Sequence, residues 1–203
     1  MALVANQLFW AQLTVEIQEE VLVGGRIAIA VRHVTDFGTP QIVEPDGENY
    51  VGIAFSRSDV AWEFDPELKW YRHPWNLGFE LVITDGSLAA GDTIEIKLGG
   101  NAGYRCQSFV EDKFRFRVGV QPEPEARWIV ADVDQSPGFR VLGNAPSAIE
   151  AFVPDINSSG SRGSVCLIIQ DAYGNPATLG EPLPLRVLLD DTRRLRDVIA
   201  TES

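Results

Sequence analysis

Histidine is scarce in this chain: His33 and His73 are the only two among 203 residues. Few general bases are therefore available, and a Ser-His-Asp triad would need one of these two histidines beside a serine. No G-x-S-x-G elbow, phosphate-binding loop, H-E-x-x-H helix or EF-hand loop occurs in the sequence. We therefore assign no catalytic residue, no metal ligand and no cofactor to the chain.

Cysteine is equally rare, with Cys106 and Cys166 separated by sixty residues. Two cysteines without neighbouring histidines exclude a structural zinc site of the usual kind. A free cysteine usually behaves as a small buried hydrophobe, and that is our interpretation of both. A disulfide would need Cα atoms within about 7 Å, a condition that the sequence does not decide.

Basic residues are too few to balance the acids, since 17 Lys and Arg face 29 Asp and Glu for a net charge of −12. Such a surface repels nucleic acid and anionic lipid, so neither a nucleic-acid nor a membrane partner is expected. The acids are dispersed, which is typical of a solubilising surface. A surface for cations or for a basic partner is the alternative.

Long hydrophobic runs are also missing, and no run reaches the roughly 20 residues that a membrane helix requires. The first twenty residues carry no basic segment before their apolar ones, so they are not a signal peptide as written. We expect a soluble protein and leave its compartment open.

What the sequence does contain is alternation of apolar and polar residues, clearest between Gly91 and Val120. Ile94, Ile96 and Leu98 alternate with polar residues, as do Phe114, Phe116 and Val118, and strict alternation predicts half-buried strands. Gly99–Gly103 between them predicts a turn. We expect the rest of the chain to be organised around this pair of strands.

Similar short runs, separated by Gly, Pro and Asn turns, recur along the whole chain and predict an all-β fold. We predict an antiparallel β-sandwich domain over residues 1–142 and a smaller, complete or truncated immunoglobulin-like β unit over residues 143–203. One segment, Asp190–Ala200, places Leu195, Val198 and Ile199 at helical spacing and could form a short terminal helix or a frayed end.

Two loose groups of side chains could bind a metal, although scattered acids around loops are normally solvated. His33 and Asp36 precede Glu44 and Asp46 by a few residues, and together they could make a metal or acid–base site. Asp190 and Asp191 could contribute to a calcium site.

A dense aromatic patch is the best candidate for ligand binding: Trp70, Tyr71, His73 and Trp75. Aromatic rings exposed on a β-sandwich can stack on sugars, and a glycan would not be repelled by the acidic surface. The alternative is that these rings cap the core or contact a neighbouring domain, since large aromatic residues dominate both environments.

An ordered series of motifs carries a family resemblance. Gly91-Asp92-Thr93-Ile94 matches G-D-x-I-x-x-x-x-G, and Gln107-Ser108-Phe109-Val110-Glu111 matches Q-x-F-x-E; Asp171 to Ala177, DAYGNPA, matches D-x-x-G-N-P-A. In this order they resemble the N-terminal β-sandwich region of the bacterial domain-of-unknown-function family 3604.

In that family the sandwich domains precede a metallohydrolase domain similar to the polymerase and histidinol phosphatase type. The resemblance implies that this chain is a non-catalytic accessory module, with a downstream or separate hydrolase domain as its partner. The family's His and Asp metal ligands have no counterparts here. A carbohydrate-binding module that uses the aromatic patch is the alternative function, and a self-contained hydrolase is disfavoured by the shortage of catalytic groups.

Overall fold

The computed structural model describes residues 2–70, 73–132, 136, 138–152, 166–181, 183–187 and 196–200. Its regular structure within these ranges consists of strands, so the predicted all-β class is confirmed. The chain divides into two compact units, Met1–Leu142 and Gly143–Ser203. Among the described residues, none forms a helix long and apolar enough to cross a membrane.

The first unit contains thirteen strands that form four sheets. In chain order the strands are β1 (Ala2–Val4), β2 (Leu8–Phe9), β3 (Ala11–Glu16), β4 (Arg26–Arg32), β5 (Val51–Phe55), β6 (Ala61–Asp65), β7 (Trp75–Asp85), β8 (Thr93–Leu98), β9 (Tyr104–Arg105), β10 (Glu111–Arg115), β11 (Arg117–Gln121), β12 (Ile129–Val130) and β13 (Gly138–Leu142).

The largest sheet has five antiparallel strands in the order β12-β11-β4-β7-β6. A second antiparallel sheet has the order β3-β8-β5. In the third sheet, β1-β13-β10, β1 runs parallel to β13 and β10 runs antiparallel to it. The short strands β2 and β9 pair with each other.

One hydrophobic core joins the five-stranded sheet and the β3-β8-β5 sheet, and it extends to the β1-β13-β10 sheet. Along β8, Ile94, Ile96 and Leu98 are buried, as the alternation predicted. They belong to the same buried cluster as Ile29 on β4 and Leu81 on β7. The inner faces of the first two sheets are therefore apolar, and alternate residues of each strand point away from this core.

The two predicted strands within Gly91–Val120 do not pair with each other. β8 pairs with β3 and β5, and the second predicted strand is interrupted at Phe116. Before the interruption β10 pairs with β13, and after it β11 pairs with β4. Alternation indicates which side chains share a face, but it carries no information about the neighbouring strand. Gly99–Gly103 does turn the chain, with a hydrogen bond from Gly103 N–H to Gly99 O.

The second unit contains two antiparallel strand pairs in its described part. β14 (Ala148–Phe152) pairs with β15 (Cys166–Gln170), and β16 (Leu183–Val187) pairs with β17 (Arg196–Ala200). The prediction of a terminal helix is therefore wrong for residues 196–200, which form β17. Residues 190–195 lie outside the described residues. Val198 and Ile199 are β-branched and favour a strand, and three apolar residues do not distinguish the two periodicities. The sandwich and immunoglobulin-like assignments stay predictions.

Candidate functional site: the tryptophan cluster on the outer sheet face

The predicted aromatic site residues lie where the chain enters β7. Trp70 is 2% exposed, Trp75 is half-buried at the start of β7, and His73 is exposed between them. Tyr71 lies outside the described residues. The patch therefore combines a buried ring with accessible side chains.

Trp70 lies on the outer face of the five-stranded sheet, opposite the main core. It belongs to a second buried cluster with Ala28 and Ala30 of β4, against which Trp75 and Trp128 pack. The rings of Trp70 and Trp128 stack with centroids 5.5 Å apart and an interplanar angle of 22°. A Cβ added at Gly119 would lie 3.1 Å from the Trp70 ring, so small residues beneath the indoles make this packing possible.

A buried carboxylate fixes Trp70 in place. Glu80 of β7 is 0% exposed, and its Oε1 accepts hydrogen bonds from the backbone N–H groups of Lys69 and Trp70, both at 2.7 Å. Its Oε2 accepts a hydrogen bond from Arg26 Nη1, also at 2.7 Å. The guanidinium compensates the buried charge, and the two N–H donors tie the loop before β7 to the sheet.

A second ion pair closes the same loop. Lys69 Nζ lies 2.8 Å from Asp65 Oδ2, and Arg26 Nη1 lies 3.5 Å from the same oxygen. The hydrogen bond from Lys69, with the Glu67 N–H and Arg26, outweighs the effect of burial and holds the pKa of Asp65 below its usual range. Arg26 therefore links two carboxylates that hold one loop.

This arrangement limits what the patch can bind. One face of Trp70 is covered by Trp128, and the residue as a whole is buried. Trp75 has the Arg117 guanidinium 5.9 Å from its ring centroid, a cation–π geometry. Three buried polar atoms of the described chain have no partner, namely Trp70 Nε1, Asn76 Oδ1 and Arg117 Nη1. Trp70 is therefore closed to a ligand, whereas Trp75 is half-buried and His73 is exposed.

The His33 group does not form the predicted metal or acid–base site. Asp36 Oδ1 accepts a hydrogen bond from Ser108 N–H at 2.8 Å, and Asp46 Oδ1 accepts one from Asn101 Nδ2 at 2.6 Å. Each acid thus anchors a different loop. In the part of the chain that the structure describes, no group of three or more His, Cys, Asp or Glu side chains could hold a metal ion. Asp190 and Asp191 lie outside the described residues.

The DAYGNPA segment forms a hydrogen-bonded latch around Asp171, which is 2% exposed. Its Oδ1 accepts from the N–H groups of Tyr173 and Asn175, both at 2.9 Å. Its Oδ2 accepts from Asn144 N–H and from Asn175 Nδ2, both at 2.8 Å. Burial alone would raise the pKa of Asp171, but these hydrogen bonds outweigh it and lower the pKa to about 2.

The two cysteines are both free, and they occupy different environments. Cys106 is buried and Cys166 is exposed, so the interpretation as a buried hydrophobe holds for the first and is wrong for the second. Burial, with a smaller contribution from the Asp36 charge, raises the pKa of Cys106 to about 12. Burial also raises the pKa of the Tyr104 hydroxyl, which donates a 2.7 Å hydrogen bond to Gly38 O.

Sequence reasoning missed Glu80 and Trp10. In the sequence, Glu80 lies between Phe79 and Leu81, which is the pattern of a strand residue that points to solvent. Its burial depends on the loop before β7, which returns over the sheet and donates hydrogen bonds to it. Trp10 is the one exposed tryptophan of the five, and all five lie in the described ranges. The sequence does show a tryptophan directly before an alternating strand. Its structural neighbours, however, come from distant segments of the chain, which the sequence pattern does not indicate.

Searches against protein-family models, curated proteins and solved structures return no match to this chain. The resemblance carried by the three motifs therefore stays a prediction.

Proposed function

We propose that this chain is a non-catalytic accessory β module that packs against, or positions substrate for, a metal-dependent hydrolase domain. The observation that carries the proposal is the structural use of buried polar groups: Asp171 accepts four hydrogen bonds within unit 2, and the Tyr104 hydroxyl donates one to Gly38 O. The directions of three pKa shifts agree with this use. Asp171 is held ionised, while Cys106 and Tyr104 are held protonated, so all three are moved away from neutral pH. Catalytic acids and bases are normally shifted towards the working pH, and these groups instead serve the fold.

The hydrolase partner is supported by the order of the GDTI, QSFVE and DAYGNPA motifs. DAYGNPA builds the Asp171 latch, which is a structural use of its carboxylate. A module of this kind contributes a rigid scaffold and a surface, and the partner domain contributes the metal ligands.

Activity measurements on two preparations test this proposal. The recombinant 203-residue chain should not hydrolyse p-nitrophenyl phosphate with or without added Mn²⁺. The protein tagged at its natural locus should be isolated together with a chelator-sensitive phosphoesterase activity, as a longer polypeptide or as a complex. Metal-dependent turnover by the recombinant chain, or no such activity in the natural preparation, would contradict the proposal.

A second candidate is a carbohydrate- or small-ligand-binding module that uses the predicted patch. The half-buried Trp75 beside the exposed His73 supports it, because these two side chains combine an aromatic ring with a hydrogen-bonding group. Loss of ligand binding on Trp75→Ala substitution would establish this use of the patch, and unchanged binding would refute it.

A further inference from the structure

We infer that the outer face of the β3-β8-β5 sheet binds a neutral saccharide, with Trp10 as the stacking platform. This inference goes beyond the accessory function and does not depend on a hydrolase partner. We call this surface the Trp10 face and define it by five residues, Trp10, Gln12, Tyr50, Gly52 and Lys97.

The Trp10 indole is exposed and held in one orientation. The residue is 59% exposed, and its Nε1–H donates a 3.0 Å hydrogen bond to Gly100 O. A Cβ at Gly99 would lie 2.9 Å from Trp10 Cδ1, and one at Gly103 would lie 3.2 Å from Cζ2. The nitrogen-bearing edge of the ring therefore lies along the Gly99–Gly103 turn. With that edge held at the turn, the residue as a whole remains exposed.

The glycines of this turn are required by the geometry. Gly99 and Gly103 have φ values of +117° and +98°, which non-glycine residues rarely adopt. Their missing side chains leave the space that the indole edge occupies. An exposed ring that is already fixed loses little conformational freedom when a ligand stacks on it, which favours affinity.

A second aromatic ring lies across the turn from Trp10. Gly99 N–H donates to Tyr50 O at 2.8 Å, so Tyr50 flanks the same segment on the β5 side. Its Cδ1 would lie 3.0 Å from a Cβ at Gly100, and its Cε1 would lie 3.6 Å from one at Gly52. Trp10 and Tyr50 thus lie on opposite sides of the first two glycines of the turn.

Polar side chains continue the same face away from the aromatic pair. Gln12 and Gly52 are both register partners of Lys97, so the three form one row across the sheet. Their chain neighbours Leu13, Ile96 and Val51 are buried, which places the row on the outer face. Gln12 and Lys97 are exposed, and Gly52 places no side chain between Tyr50 and Lys97.

The charges on and around this face select a neutral ligand. Lys97 Nζ lies 3.9 Å from Glu95 Oε2, and Arg105 Nη2 lies 2.6 Å from Glu48 Oε1, so nearby cations have acidic neighbours. The whole chain carries a charge of −12 and repels a polyanion. A neutral sugar would present C–H groups to the ring and hydroxyls to Gln12 and Lys97. Nucleobases also stack on indoles, but their phosphates are disfavoured here.

Binding of four neutral hexasaccharides tests the inference: cellohexaose, xylohexaose, mannohexaose and N-acetylchitohexaose. In the ¹⁵N-labelled wild-type chain, at least one of them should shift the Trp10 indole N–H signal, assigned with Trp10→Phe. By calorimetry, Trp10→Ala should weaken binding of that sugar at least about tenfold, as expected for loss of a stacking contact. Trp10→Phe should retain part of the affinity.

Tyr173→Ala is the matched control, since it removes another exposed aromatic ring, 47% exposed, that belongs neither to the predicted patch nor to the Trp10 face. It should bind within about twofold of wild type, a difference well below the loss of one stacking contact. The inference is overturned if none of the four sugars moves the Trp10 signal, if Trp10→Ala binds normally, or if hexagalacturonate binds as tightly as the neutral sugars. Because the signal shift is measured on wild-type protein, a poorly folded variant does not affect that result.

Discussion

The contacts inside unit 1 differ in kind from the contacts inside unit 2. In unit 1, strands from the five-stranded sheet and from both three-stranded sheets bury aliphatic and aromatic side chains in one continuous cluster. In unit 2, the buried side chains among those described are Asp171 and Asn175, which bond to each other. All five residues of β14 are exposed, so this strand contributes no buried apolar group.

This difference has an energetic consequence. Burial of apolar surface is non-directional and spread over many residues, so unit 1 does not depend on a single hydrogen bond. A polar latch is directional, and each N–H group left without its acceptor costs the full penalty of desolvation. Unit 2 should therefore be sensitive to one polar substitution and to pH, whereas unit 1 should tolerate most polar changes.

Glu80 is the exception within unit 1, and its removal should give the largest effect. Glu80→Ala leaves Arg26 and two loop N–H groups without their acceptor, and we expect a loss of about 3–5 kcal/mol in the free energy of unfolding. Urea unfolding followed by tryptophan fluorescence measures this change, because all five tryptophans lie in unit 1.

Glu63→Ala is the control for this measurement, since Glu63 is exposed on β6 of the same sheet. It should change stability by less than about 0.5 kcal/mol. Equal urea midpoints for the two variants would show that the Glu80 contacts do not hold the loop.

Asp171→Asn should destabilise unit 2 by about 2–3 kcal/mol, because the new amide nitrogen faces donors that had bonded to a carboxylate oxygen. Tryptophan fluorescence does not report on unit 2, so the readout is urea unfolding followed by the amide NMR signals of β15. Glu150→Gln on the exposed face of β14 serves as the control and should leave those signals unchanged. If the Asp171→Asn variant unfolds at the same urea concentration as the wild-type chain, the latch does not stabilise unit 2.

The pH dependence of unit 2 should follow the same carboxylate. The folded-state pKa of Asp171 is about 2, below its unfolded value, so its contribution is present above the unfolded pKa. As pH falls from about 5 towards 2, unit 2 should lose about 2 kcal/mol from this group. Amide signals of β15 during urea unfolding at several pH values measure the loss. The Asp171→Asn variant should lack this component, and an identical pH profile would contradict the assignment.

Tyr104→Phe should have the smallest effect of the series. It removes the hydroxyl that donates to Gly38 O but keeps the ring within the aromatic cluster around Phe9 and Phe37. We expect a loss of about 1 kcal/mol by tryptophan fluorescence, because one neutral hydrogen bond is removed from a core that remains packed. A loss larger than that of Asp171→Asn would reverse the comparison between the units.

Much of the local structure could be predicted from the sequence, and the arrangement of the candidate site could not. Ile94, Ile96 and Leu98 were correctly placed on a buried strand face because side chains alternate in any strand. The four members of the aromatic patch were predicted by composition, and the structure buries Trp70 while leaving His73 exposed. That separation depends on Glu80, ten residues further along the chain, and on Trp128 from another loop.

Local chemistry was sufficient to predict the all-β class, the alternation of β8 and the Gly99–Gly103 turn, since each depends on residues close together in the chain. Long-range contacts decided which strands pair, how Phe116 separates β10 from β11, and why Trp70 is buried while Trp10 is exposed. The physical reason is that pairing and burial depend on distant segments meeting. Gly100, ninety residues beyond Trp10, orients its indole through one hydrogen bond.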